Sequence, residues 1–153
     1  MIECFPRLLE IDSFLQKPLL SINSNHATID APDNWIEFAG REVLKIRWAD
    51  TKYPGLELKE VVSDWTCCQK LRVDLYVTGD EPMLITTAVG HWGRRGAAAY
   101  VPHMLNPGPH QLEVPLERLG AIGNTAQSIS NLIVNTSRQF AGREILIAGI
   151  RLE

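Results

Sequence analysis

The stretch LRVDLYV, residues 71 to 77, alternates apolar and polar side chains without a break. A period of two is that of a half-buried strand, in which successive side chains point to opposite faces. Leu71, Val73, Leu75 and Val77 fall on one face; Arg72, Asp74 and Tyr76 fall on the other. Thr78-Gly79-Asp80-Glu81-Pro82 then supplies turn chemistry, and MLITTAV follows at 83 to 89. This pair is predicted to form a β-hairpin. The same signature recurs in VLKIRWA (43 to 49), GLELKEV (55 to 61), HQLEVPL (110 to 116), NLIVNTS (131 to 137) and REILIAGIRLE (143 to 153). Pro115 marks an edge or a strand end, and Asn106-Pro107-Gly108-Pro109 is a turn by composition. Leu8, Ile11 and Leu15 also fit a helical stripe, so the pattern permits a short helix before the first strand. Eight or nine short strands with almost no helix predict an all-β fold: a two-sheet antiparallel β-sandwich of the jelly-roll kind. Each sheet should have one buried and one wet face.

A chain of 153 residues fits one domain, spanning 1–153. At this length folding buries about two-thirds of the unfolded surface, so neither a metal nor a disulfide is needed for stability. Charged residues make up 22% and the net charge is −3, which argues against a nucleic-acid partner and its basic face. Cysteines occur only at 4, 67 and 68, which is no disulfide framework. Cys68 is expected to be a small buried residue. The opening MIECFPRLLEIDSFLQKPLL lacks the basic segment and apolar core of a signal peptide, and no apolar run is long enough to insert in a membrane.

The order of motifs resembles a carbohydrate-binding-module-like jelly roll of the galactose-binding-domain-like type. The matching pieces are Tyr53-Pro54-Gly55, Asp64-Trp65, the strand Leu71 to Tyr76, and the turn Asp80-Glu81-Pro82. They continue in PGPHQLEVPL (107 to 116), in Ile129-Ser130-Asn131-Leu132, and in a last strand from Ile147 to Leu152. The resemblance covers roughly residues 40 to 153, and the domain appended to some VanZ-like membrane proteins is similar. It implies a non-catalytic recognition module for a glycan or other polysaccharide, tethered to another domain and extracytoplasmic or at the cell surface. Many such modules hold a structural Ca²⁺ with an Asp in the last strand. Ala148-Gly149 stand where the family has Asp-Asp, which favours loss of that site over its rebuilding from Asp12, Asp30 and Asp33. No cofactor is expected.

No nucleophile elbow, zinc helix motif or phosphate loop is present, and the histidines at 26, 91, 103 and 110 lack metal-ligand spacing. The chain is therefore not expected to be an enzyme. Recognition chemistry concentrates in GHWGRRGAAAYVPHML, residues 90 to 105. Trp92 offers a flat apolar face for a sugar ring, Arg94 and Arg95 offer forked donors, and His91, Tyr100 and His103 add polar handles. The competing reading folds Trp92 down over a sheet edge with the arginines solvated beside it. Arg72, Asp74 and Tyr76 either line the same concave surface or form a cross-strand polar ladder. Trp65 is read as a plug for the sandwich end, Trp35 as a core lid, and Trp48 is ambiguous. The candidate ligand-binding residues are thus His91, Trp92, Arg94, Arg95, Tyr100, Arg72 and Tyr76. Binding by one stacked aromatic and a few hydrogen bonds would be weak, with Kd about 10⁻⁵ to 10⁻³ M. The alternative is a structural or protein-interaction sandwich with no sugar site.

Overall fold

The computed structural model describes residues 20–24, 27–30, 35–59, 64–93 and 96–153. These form eleven strands: β1 (Leu20–Ser24), β2 (Ala27–Asp30), β3 (Trp35–Phe38), β4 (Arg41–Arg47), β5 (Gly55–Lys59), β6 (Lys70–Val77), β7 (Met83–His91), β8 (Ala97–Leu105), β9 (Gly108–Pro115), β10 (Ile129–Asn135) and β11 (Glu144–Leu152). Short 3-10 turns at Leu116–Leu119, Gly123–Gln127 and Arg138–Phe140 complete the described elements. Seven of the strands are those that alternation predicts; β8 and the three short ones before Arg41 raise the count. The helical stripe at Leu8, Ile11 and Leu15 lies outside the described residues, as does the side chain of Trp35. No helix among the described residues is long and apolar enough to cross a membrane.

The strands make two sheets, ordered β2-β1-β5-β10-β7-β8 and β3-β4-β11-β6-β9. Every pairing is antiparallel. The fold is the all-β sandwich expected, but one local prediction fails. β6 and β7 do not form a hairpin: β6 lies between β11 and β9, whereas β7 lies between β10 and β8 in the other sheet. The 78–82 connection is an arch between layers. Its carbonyls are satisfied not by a partner strand but by Arg143, which donates to Thr78 O (3.1 Å), Pro82 O (2.7 Å) and Glu81 O. Turn-forming residues specify a reversal; they do not say whether it stays within one sheet.

The space between the sheets is filled by the apolar alternants. Leu71, Val73, Leu75 and Val77 of β6 meet Leu56, Leu58, Ile85, Val89, Leu132 and Val134 of the other sheet within one continuous core. Trp65 is fully buried at one end, as its plug reading expects, with its amide donating to Ala126 O at 2.6 Å. Trp48 proves to be core as well, with Nε1 donating to Met83 Sδ at 3.1 Å. Cys68 is half-buried against the core rather than within it. Because each strand turns its apolar side inward, the polar alternants are displayed on two outer faces. A site on the sheets must be built on one of them.

Candidate functional site

On the outer face of the six-stranded sheet, strand pairing aligns Glu57, Ile133, Ala88 and Tyr100 in one row across β5, β10, β7 and β8. The next row runs Gly55, Asn135, Thr86 and Pro102. Beside these rows lies a cleft of about 540 Å³, lined among others by Tyr53, Leu84, Thr86, Tyr100, Pro102 and Asn135. That volume falls in the range of small-ligand sites, about 300 to 1,000 Å³. Tyr53 and Tyr100 are 59% and 60% exposed, large enough fractions to leave both rings free for stacking.

Local chemistry sets each of these residues. Thr136 ties down the loop that carries Tyr53: its amide donates to Pro54 O at 3.0 Å and its hydroxyl donates to Leu84 O at 2.5 Å. Lys52 Nζ sits 5.3 Å from the Tyr53 ring centre, a cation–π contact. Gly55 permits Asn135 to pass close by, since a Cβ there would stand 3.0 Å from Asn135 Cβ. Tyr100 stands opposite the small Ala88, and the register then slips so that Gly90 faces Ala97. The run of three alanines thus absorbs a β-bulge at the end of an edge strand.

The outer face of the five-stranded sheet is built differently. Its β6–β9–β11 region is an ion-pair ladder. Lys70 Nζ meets Glu113 Oε1 at 3.0 Å and Glu153 Oε2 at 3.4 Å; Arg72 Nε meets Asp74 Oδ1 at 3.1 Å and Nη1 meets Glu153 Oε1 at 3.5 Å; Arg151 Nε meets Glu153 Oε1 at 2.8 Å. The Glu113 hydrogen bond raises the Lys70 pKa above its ordinary value, and the Asp74 hydrogen bond does the same for Arg72. The Arg151 hydrogen bond, with Lys70 beside it, holds the Glu153 carboxyl below the usual carboxylate range. Past the ladder, Phe38 and Tyr76 meet tilted, at 5.1 Å and 56°, in the lining of a groove of about 430 Å³ that Val43 and Leu146 also line. At the β11 bulge, the Ala148 carbonyl accepts from Arg41 Nη2 at 3.1 Å. Among the described residues, no three His, Cys, Asp or Glu gather with metal-binding geometry. The side chains of Asp12, Asp30 and Asp33 lie outside the described set.

The residues singled out from the sequence therefore separate. Tyr100 belongs to the cleft. Trp92 is 67% exposed in the turn after β7, its amide held by Ser128 O at 2.8 Å, so it does not fold down as a lid. Arg94 and Arg95 lie outside the described residues, between Gly93 and Gly96. Arg72 and Tyr76 do not share a surface with Tyr100: they sit on the other sheet, because the arch after Val77 moves the chain between layers. His91 is not an exposed handle. It is 4% exposed, with Nδ1 3.4 Å from Ser128 Oγ and Nε2 buried without a hydrogen-bond partner, because the end of β7 is still paired there, His91 against Ile129 of β10. His103 lies on the side of β8 opposite Tyr100, where burial, together with Arg118, lowers its pKa. Tyr53, Asn135, Glu57 and Asn131 were not singled out as site residues. Tyr53 and Asn131 carried a sequence signal, as parts of the Tyr53-Pro54-Gly55 and Ile129-Ser130-Asn131-Leu132 motifs.

No protein-family profile matches the chain, and no curated protein matches it in sequence. Solved structures do match in fold. A carbohydrate-binding module of family 28, described as specific for non-crystalline cellulose, superimposes with a TM-score of 0.66 at 10% identity, covering 100% of this chain and 95% of that one. The family 11 carbohydrate-binding module of the Clostridium thermocellum cellulosomal cellulase Lic26A-Cel5E gives 0.60 at 12% identity, covering 99% and 95%. An arabinose-bound α-L-arabinofuranosidase gives 0.62 at 14% identity, but the match spans 96% of this chain and only 26% of the enzyme. At these identities the likeness establishes a jelly-roll sandwich of the kind found in carbohydrate-binding modules, and that alone.

Proposed function

We propose that the chain is a non-catalytic carbohydrate-binding module whose site is the outer face of the six-stranded sheet. The observation that carries this reading is the cleft between Tyr53 and Tyr100, two exposed aromatic rings fixed over a floor of Thr86, Leu84 and Asn135. Sugars present apolar C–H faces and a rim of hydroxyls. Stacking on the rings would bind the first, and hydrogen bonds to the Asn135 amide and the Thr86 hydroxyl would bind the second. Trp92, exposed in the turn after β7, offers a further apolar face outside the cleft. Affinity at one such site is weak, and tethering or repetition raises it. The family resemblance supports that tethering: modules of the galactose-binding-domain-like type occur beside other domains, including the VanZ-like membrane proteins, on the outer side of the cell.

The test is an array of neutral and acidic oligosaccharides, probed with the wild type, Tyr100→Ala and Tyr53→Ala. Binding by the wild type that either substitution removes at unchanged Tm supports the reading. Binding that survives both would move the site elsewhere. The protein-interaction reading has one observation of its own, the apolar groove beside Phe38 and Tyr76. An array with no binder at all would favour it.

A further inference from the structure

The polar end of the Tyr100 row carries more structure than a solvated face requires. Asn131 Nδ2 donates to Glu57 Oε1 at 2.6 Å, and the Ser130 hydroxyl donates to Asn131 Oδ1 at 3.2 Å. The amide lies close against β7 at Gly90. A Cβ placed on Gly90 would stand 1.9 Å from Asn131 Oδ1, 3.0 Å from its Cγ and 3.2 Å from Ser130 Oγ. The absence of a side chain at 90 is thus what gives the amide its seat. The Glu57 carboxylate thus accepts from a neutral amide.

We infer that Glu57 and Asn131, seated by Gly90, form a hydroxyl-binding subsite that excludes an anionic sugar unit above it. The inference rests on the carbohydrate reading of the same face and adds a substrate class to it. An ionised carboxylate accepts only, whereas an amide both donates and accepts. Their mutual bond uses one carboxylate oxygen and one amide hydrogen and leaves the second of each for a ligand. Two neighbouring sugar hydroxyls suit that pair: one donates to Glu57 and the other accepts from Asn131. A uronate or sulfate would place a second negative charge against Glu57, and like charges at contact distance repel. Glu57 and Tyr100 are three strands apart on one row, about 14 Å at about 4.8 Å per strand, with half-buried Ile133 and buried Ala88 between them. A short oligosaccharide lying across the strands would meet an aromatic ring at one end, an apolar floor in the middle and the Glu57–Asn131 pair at the other.

The experiment titrates the wild type, Glu57→Gln, Asn131→Ala, Gly90→Ala and the Gly90→Ala/Asn131→Ala double variant. The probes are the neutral oligosaccharide that binds best on the array and a uronic-acid oligomer of equal length. Wild type is expected to prefer the neutral probe, and Glu57→Gln to narrow that preference by about tenfold or more. Gly90→Ala should weaken neutral binding by about tenfold, yet change it less than about twofold once Asn131 is already alanine, because the clash with the amide is then gone and only the rotatable Ser130 hydroxyl remains close. Equal preference in wild type and Glu57→Gln, with binding still abolished by Tyr100→Ala, overturns the subsite and leaves the module reading standing. Absence of any saccharide binding overturns both. Should Gly90→Ala unfold the domain, the Glu57→Gln selectivity decides the question by itself.

Discussion

The two outer faces of this sandwich are generated by one alternating pattern and put to different use. On the five-stranded sheet the polar alternants of β6, β9 and β11 find each other. Lys70, Arg72, Asp74, Glu113, Arg151 and Glu153 close a network in which each charge has an opposite partner. On the six-stranded sheet Tyr53, Tyr100, Thr86 and Asn135 line a cleft and keep their recognition atoms available. Polarity therefore does not distinguish a binding face from a solubilising one. What distinguishes them is whether the polar groups are already satisfied by their neighbours.

If this contrast is right, substitutions on the two faces should separate binding from stability. The largest effect is expected from Tyr100→Ala, which should cost about 2 kcal/mol of binding, about thirtyfold in Kd, as for the central anchor of an interface. Its Tm should stay put, because the ring is 60% exposed. Trp92→Ala should cost about tenfold in affinity, again with Tm unchanged; a large drop in Tm would return Trp92 to the role of a lid. Arg72→Ala should do the reverse. Loss of its ion pairs is expected to lower Tm modestly, with saccharide affinity unchanged.

A smaller effect separates the two sheets by pH. Burial lowers the His103 pKa, so the unfolded chain takes up a proton before the folded one does. Stability is complete above the unfolded value of about 6.5 and declines as pH falls from there towards the lowered folded value. His103→Gln should remove this loss in a Tm series between about pH 7 and 5. Glu153 acts lower: its pKa is depressed, so its contribution is present above the usual carboxylate range and disappears as pH falls through the folded value. Acid should thus remove the contribution of His103, on Tyr100's own strand, before that of the ladder.

Most of the architecture was legible because period-two alternation reports directly which side chains face the core. Leu71, Val73, Leu75 and Val77 are all buried, as the pattern requires. The pattern is silent about layers. Alternation in β6 and in β7 looks the same whether they pair or, as here, stand in opposite sheets joined by an arch. That one ambiguity is why Arg72 and Tyr76 were grouped with Tyr100, and why the ladder reading of Arg72 and Asp74 needed three dimensions to be decided. The Glu57–Asn131 bond joins residues 74 positions apart, a separation at which no local motif exists. His91 shows the converse: the sequence offers its ring as a polar handle, yet it is 4% exposed, because whether a loop-flanking ring points out or in depends on the end of the strand before it.

The most direct measurement is a ¹H–¹⁵N chemical-shift map during titration with a saccharide that binds on the array. Shifts confined to the six-stranded face, at Tyr53, Glu57, Thr86, Tyr100, Asn131 and Asn135, with Arg72, Asp74 and Tyr76 unmoved, are the expected result. Shifts centred on Phe38, Tyr76 and the ladder, with Tyr53 and Tyr100 unmoved, would contradict it and place the site on the opposite sheet.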